Sequence, residues 1–389
     1  MVLRSHQTTI TALVLLMLAP QTKLAGGRYT VQRLLGSGAM ADVYLATDSQ
    51  RRVDVALKVL RSNLAPDAHY AQYFRDEASV LHRLQHPNIV RYFDYRQERQ
   101  LVFIALEYIA GPTLQHYLSH RKLLAMPHAY YIAACVASAL DYAHNQGVIH
   151  RDIKPSNVML ADSGKVLLND FGVARDGGRG PNATGPIGTM AYMAPEQIRG
   201  SNVTAAADQY SLGILLWELL TGRRPFTGDS AGLQGTTTQA RLAEEHLNYP
   251  PPGGILPPPQ AAPLERALAK EPGQRFPSCS ALVQALVSAS GMQPTNQQQW
   301  MQELRTFSPP ARNFAPAPTP QQPPPAFRPP GPRVPYPPPK TAIAGMVIRV
   351  SLFVAFVLLI ALTAFGPGQQ QPMTSATPDS ASTTAPLKP

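Results

Sequence analysis

Sixteen of the 40 prolines fall between Pro294 and Pro339, and that clustering limits where this 389-residue chain can fold. A tract of Pro, Gln and Ala has too little apolar surface for a core, and its prolines favour extended polyproline II. Residues 293–340 therefore read as a disordered, semi-stiff linker. Behind it lies "GMVIRVSLFVAFVLLIALTAFG". Its 20 residues Met346–Phe365 match what a helix needs to cross a hydrocarbon core of ~30 Å. Arg349, the one charge, falls in the first turn, where its stem can snorkel to the headgroups. No globular sequence follows that could bury this run, so 341–366 reads as a transmembrane helix. Residues 367–389, rich in Ser, Thr, Pro and Gln, read as a short disordered tail.

Charge placement decides how the formal net charge of +10 is read. Between Glu303 and Asp379 there is no acidic residue, while Arg305, Arg312, Arg328, Arg333, Lys340 and Arg349 are all basic. Six excess charges thus sit in the tail rather than in a folded groove, and no nucleic-acid partner is expected. Arg328, Arg333 and Lys340 precede the apolar helix and only Lys388 follows it, which places the N-terminal region in the cytoplasm. The expected location is the cell membrane, spanned once. Residues 1–25 hold the uncharged run "TTITALVLLMLA", which is signal-like but too short to span. Against the charge flanks it reads as an upstream mis-start or a non-cleaved extension. Cys135 and Cys279 form neither a disulfide framework nor a metal-ligand spacing, and suit a reducing compartment.

The composition of residues 26–292 is that of a globular domain. "RYTVQRLL" and "ADVYLATD" alternate with period two, and "VDVALKVL" reads as a mostly buried strand. "DAHYAQYFRDEASVLHRL" spaces Phe74, Ala78, Leu81 and Leu84 along one helix face. From about Thr113 onward helical runs dominate, among them "DQYSLGILLWELLTG", which ends at Gly222. The expected class is α+β, a small β-rich lobe with one helix followed by a larger helical lobe.

Chemistry-bearing residues are spread along this domain. "LGSGAMADV" joins the first two expected strands, and its glycines let backbone N–H groups approach an anion. Lys58 interrupts an apolar strand; if buried, it needs a partner, and Glu77 is a candidate. "VIHRDIKPSNVML" crowds Arg151, Asp152 and Lys154 between hydrophobic segments, with Asn157 close behind and Asp170 in "NDFGVA". Asp152, Asn157 and Asp170 offer hard oxygens for Mg²⁺ or for a proton. A glycine loop, two lysines, a metal set and an acceptor carboxylate together suit phosphoryl transfer from a nucleotide.

The glycine loop, "VALK", "HRDIKPSN", "DFG" and "MAPE" stand in the order of the protein-kinase signatures. From about Tyr29 to Leu286 the chain resembles a Hanks-type serine/threonine protein kinase of the bacterial single-pass membrane type. The resemblance implies a two-lobed fold, ATP and Mg²⁺ as cofactors, and protein Ser/Thr hydroxyls as acceptors. Leu35, Gly36, Ser37, Gly38, Ala39, Met40, Ala41, Asp42 and Val43 would cover the phosphates, with Ala41 in the place of the third glycine. Lys58 would hold the α- and β-phosphates and pair with Glu77. Glu107 and Ile109, after the gatekeeper Leu106, would receive adenine. Asp152 would accept the substrate proton, Lys154 would steady the γ-phosphate, and Asn157 and Asp170 would ligate metal. Thr189 would line the substrate site, Glu196 and Arg275 would form a buried ion pair, and Asp208 would brace the catalytic loop. Beside Asp152, Arg151 could clamp a phosphate on Thr184, an expected activation phosphosite. Relatives of this type often dimerise and autophosphorylate, so the resemblance implies autophosphorylation and a homodimer as expectations. The rival reading is a pseudokinase scaffold that recruits partners through its Pro-rich linker, although every catalytic motif residue is present.

Overall fold

A computed structural model of the chain describes residues 18–62, 64–65, 67–98, 101–121, 123–171, 190–229 and 237–307. The apolar run at 346–365, Thr184 and Thr189 lie outside them. Among the described residues no helix is long and apolar enough to cross a membrane.

The small lobe is an antiparallel sheet of β1 (Lys23–Leu24), β2 (Tyr29–Ser37), β3 (Ala41–Asp48), β4 (Val53–Leu60), β5 (Tyr92–Glu98) and β6 (Leu101–Glu107), in the order β1-β2-β3-β4-β6-β5. Side chains on a strand alternate between faces, and this decides the fate of Lys58. Val55, Leu57 and Val59 join Tyr29, Tyr44 and Phe103 in a core on the outer face. Leu60 of β4 and Ile104 and Leu106 of β6 join the other core. Lys58 belongs to this second face, in a strand flanked by β3 and β6 rather than at an edge. Helix α1 (Ala68–Arg83) covers that face with Phe74, Ala78 and Leu81, and Glu77 lies on the same buried stripe. The Asp67 side chain caps its first turn by accepting from the His69 N–H.

The large lobe is built on α2 (Leu114–His120), α3 (Met126–Asn145), the hairpin β7 (Val158–Leu160) with β8 (Val166–Leu168), α4 (Pro195–Arg199), α5 (Ala205–Thr221), α6 (Thr238–Asn248), α7 (Pro258–Ala267) and α8 (Cys279–Ser290). Helix α5 is apolar nearly all round, which marks it as the central helix of the lobe. It stops at Gly222, whose φ of +72° gives the left-handed C-cap. The lobes are tied by main chain and side chain: Val90 N–H donates to Leu168 O, Leu168 N–H to Asn88 O, and the Asn88 amide to Val166 O.

Both expected ends of the folded domain are corrected outward. Leu18 and Leu24 pack on the outer-face core and β1 pairs with β2, so the lobe begins before residue 26. Beyond residue 292 the chain is not yet linker. Asn296 caps a further helix, α9 (Gln297–Thr306), which buries Trp300 completely and Leu304 nearly so. Its sequence, "QQQWMQELRT", carries only a few apolar residues among Gln and Glu, so composition hides a helix that depends on tertiary contact.

One buried group gives this lobe an acid limit. His246 on α6 is enclosed beside Tyr210 and Phe226. Burial, reinforced by Lys270 and Arg224, pushes its pKa down to about 3. The unfolded chain therefore takes up this proton near pH 6.5 while the folded chain does not. The neutral ring's contribution is intact above that pH and is lost as pH falls toward 3. Unfolding free energies from urea titrations should fall by about 1.4 kcal/mol per pH unit between about pH 6 and pH 4 for this one proton. His246→Gln should flatten the slope by that amount.

Candidate active site

Two turns of chain position the acidic residues. Helix α3 ends at Asn145, and the segment after it runs into a stretch whose backbone is held from below by Asp208, on the first turn of α5. The fully buried Asp208 carboxylate accepts from the N–H groups of His150 (2.8 Å) and Arg151 (2.7 Å), and from His144 Nε2 (2.7 Å). Arg151 adopts a left-handed φ of +64°, and these bonds over-determine it. The His150 ring is buried, and burial lowers its pKa. Its Nδ1 accepts from the Asp152 N–H and its Nε2–H donates to Asn169 O, so the neutral ring cross-links both acidic loops. Phe171 packs on the same ring, 4.6 Å between centroids.

The reacting groups stand on that scaffold. Lys154 Nζ donates to Asp152 Oδ2 at 2.8 Å. Asn157 sits in the single turn Pro155–Asn157, and its amide NH₂ donates to Asp152 O (2.7 Å) and Oδ2 (3.3 Å). That leaves the Asn157 oxygen to face a cation, apart from a long bond from the Ser156 hydroxyl. Asn169 N–H donates to Asn157 O, so the two metal-ligand candidates are one hydrogen bond apart along the chain. Asp170 has a φ of +55° and keeps a side chain 41% exposed.

Lys58 closes the set from the other lobe. Its Nζ lies 2.6 Å from Glu77 Oε1 and 2.9 Å from Asp170 Oδ1. Burial works against this ammonium, but Asp170 and Glu77 outweigh it, so its pKa is raised and it stays charged. Two carboxylates share one cation, and they respond differently. Burial raises the pKa of Glu77 despite Lys58. At Asp170 burial is overcome by the charge and hydrogen bond of Lys58, with Lys154 adding to it, and its pKa falls. Asp170 is therefore the fixed anion, as a metal ligand must be. Asp170, Asn157 and Asp152 form an all-oxygen donor set, and Mg²⁺ fits that chemistry.

Not every expected residue faces this cleft. Residues Leu35–Val43 form the β2–β3 hairpin as anticipated, with Gly38 N–H donating to Ala41 O. Asp42, however, turns its carboxylate to Arg61 at 3.2 Å and is largely buried. Of the nine loop residues it is the one whose side chain would repel phosphate, and the ion pair directs it elsewhere. Leu106 and Ile109 are buried where the chain leaves β6, and Glu107 N–H donates to Arg91 O. Glu196 and Arg275 make two parallel bonds of 2.7 and 2.9 Å, fully enclosed, with the remaining Arg275 donors on the carbonyls of Ala206, Ala269 and Lys270.

Sequence reasoning misses some positioning residues. The Gln197 amide donates to Arg151 O and accepts from Ala194 N–H, tying α4 to the catalytic loop. The "MAPEQ" context is the one signal that could have found it. Asp141, His144 and Cys279 come together although their spacing suggests no metal set. Asp141 accepts from the N–H groups of Cys279 and Ser280 and so caps α8, while His144 is bonded to Asp208.

This arrangement has close counterparts. Residues 29–287 match the protein kinase domain family. The chain is 36% identical over 277 residues to the probable serine/threonine-protein kinase PknB of Bifidobacterium longum, covering 67% of this chain and 39% of that protein. It is 40% identical over 211 residues to serine/threonine-protein kinase PrkC of Bacillus subtilis, covering 54% and 33%. With PknA of Mycobacterium tuberculosis it shares 34% identity over 304 residues, covering 76% and 67%. The crystal structure of the M. tuberculosis PknI kinase domain superposes with a TM-score of 0.56 at 33% identity, covering 71% of this chain and all of that one. The match to PknB and PrkC spans well under half of those proteins' lengths. The match over residues 29–287, two thirds of the chain, falls on the two lobes that carry the glycine hairpin, the bridging lysine and the oxygen-donor pair, and the chain belongs to the protein kinase family.

Proposed function

We propose that the protein is an ATP-dependent serine/threonine protein kinase, anchored in a membrane by residues 341–366 with its folded domain in the cytoplasm. The observation that carries the catalytic part is the Lys58 ammonium, held between Glu77 and Asp170 across the two lobes. That bridge aligns the phosphate-anchoring cation with the metal ligands before substrate arrives, which is the pre-organisation phosphoryl transfer requires. In the reaction the substrate hydroxyl oxygen bonds to the γ-phosphorus as the bond to the departing ADP oxygen breaks, and the hydroxyl proton passes to Asp152. Lys154, 2.8 Å from that carboxylate, is placed to neutralise the transferring group. Asn157 and Asp170 would hold Mg²⁺, which when bound would supply charge neutralisation at the phosphates. The complete donor set favours catalysis over the scaffold reading.

The membrane part rests on sequence: 20 apolar residues preceded by Arg328, Arg333 and Lys340. Residues 308–340 would be the spacer and 367–389 an outer tail. Thr184 as an activation phosphosite, Thr189 as a substrate-site residue, and homodimeric autophosphorylation belong to the same proposal. Incubating the full-length chain with γ-labelled ATP, Mg²⁺ and a generic Ser/Thr-rich protein should yield phosphoserine and phosphothreonine but no phosphotyrosine. Absence of transfer under any divalent ion would refute the catalytic reading. In cells, removal of 341–389 should release the protein from membranes, and retention there would refute the anchor.

A further inference from the structure

Helix α9 lies where composition suggests linker, more than 120 residues after Asp170, yet it touches both supports of the metal pair. One support is the β7–β8 hairpin. Asn157 directly precedes β7 and Asp170 follows β8 by two residues, so this hairpin sets the distance between the two ligands. The hairpin turn carries Gly164 at a φ of +80°, and a Cβ there would stand 2.6 Å from Gln297 O on α9. The Gln297 amide donates to Ser163 O in the same turn (3.0 Å).

The other support is α2, which follows the chain leaving the adenine side of the cleft. Its approach is strapped to β7: Leu160 N–H donates to Pro112 O and Asp162 N–H to Ala110 O. A Cβ on Gly111, at a φ of +141°, would stand 2.0 Å from Leu160 O. Helix α2 also packs on the turn that holds Asn157. From the outside, α9 grips α2. Arg121 Nη1 donates to Glu303 Oε1 at 2.5 Å, and the Tyr117 hydroxyl donates to the same oxygen at 3.1 Å. The Trp300 ring lies 5.7 Å from the Tyr117 ring and 5.4 Å from that of His128.

We infer that Trp300 and Glu303 are positioning residues for the nucleotide–metal site: α9 clamps α2 against the β7–β8 hairpin and thereby holds Asn157 and Asp170 at ligating distance. The inference rests on the kinase reading for the identity of the ligand. Its consequence is specific to metal. Loosening the clamp relaxes the spacing of two metal ligands, while the Lys58–Glu77 pair, which lies wholly within the small lobe, stays in place.

The test compares Trp300→Ala, Trp300→Phe and Glu303→Gln in the full-length chain, at a temperature where circular dichroism shows each folded. A non-hydrolysable ATP analogue is titrated with saturating Mg²⁺ and again in EDTA, and the Mg²⁺ concentration for half-maximal binding is recorded. Trp300→Ala and Glu303→Gln should weaken Mg²⁺-dependent binding roughly 3- to 30-fold, the scale of remote coupling. The EDTA value should move less than about twofold, and Trp300→Phe should restore the wild-type result. If Trp300→Ala does not fold, Glu303→Gln decides. Folded variants whose Mg²⁺ dependence matches wild type, whatever their thermal stability, overturn the inference and leave α9 as a prop. Equal weakening with and without Mg²⁺ overturns it too. Wild-type protein that binds the analogue with Mg²⁺ but transfers no phosphate would sink the kinase reading alone.

Discussion

Asp152→Asn lowers phosphate transfer on the order of 10²- to 10⁴-fold while nucleotide affinity stays within a few-fold of wild type. The substitution keeps shape and most local bonds. The Asp152 main chain still donates to His150 Nδ1 and still accepts from Asn157. What disappears first is acceptance of the substrate proton, which an amide cannot perform, and general-base removal costs on that scale. Lys154 also loses its 2.8 Å anionic partner, which adds disorder to the cation facing the transferring phosphoryl group. Initial rates at saturating ATP, with labelled phosphate as readout, give the answer. A rate within tenfold of wild type would show that Asp152 is not the base.

Lys58→Met has a smaller catalytic effect and a larger structural one. Loss of one pre-organised charge at the phosphates should cost on the order of 10²- to 10³-fold in rate. The methionine fills the alkyl path but leaves Glu77 and Asp170 facing a gap with no cation between them. Removing one partner of a buried pair costs roughly 3–5 kcal/mol, and the low end applies because Asp170 is 41% exposed and so partly screened. The pH dependence carries a definite sign. Burial already raises the Glu77 pKa, and without Lys58 nothing nearby opposes the rise. A carboxyl whose folded pKa exceeds its unfolded value near 4.3 stabilises the fold below that pH. That stabilisation is lost as pH climbs through the raised pKa. Lys58→Met should therefore be closest to wild type in stability near pH 5 and furthest from it at pH 8, as judged by urea midpoints. A deficit constant with pH would mean that Glu77 does not bear the unpaired charge.

These two residues differ in how far the amino-acid sequence alone reveals their roles. Asp152 announces itself through local context: charge crowded between apolar runs, five residues before an asparagine, with a second acidic loop further on. Lys58 is ambiguous from its strand alone, because a lone lysine in an apolar run suits an exposed edge as well as a buried pair. Only strand order resolves it, with β3 and β6 on either side and the period-two face turned toward α1. Asp42 shows the opposite error. Its place in the glycine loop suggests phosphate, but its carboxylate meets Arg61, a contact set by strand register rather than loop motif.

By itself, the sequence determined the two-lobed class, the spacing of the reacting groups, and the proline tract where a core cannot form, because these depend on local periodicity, backbone freedom and composition. Tertiary structure alone decided the folded ends at Leu18–Leu24 and α9, the enclosure of His246, and the addition of Asp170 to Glu77 as a second partner of Lys58. The physical reason is the same in each case. Residues far apart in the chain acquire their environment only when packing removes water between them, and a weakly apolar segment such as "QQQWMQELRT" becomes a helix only once Trp300 has a cavity to enter.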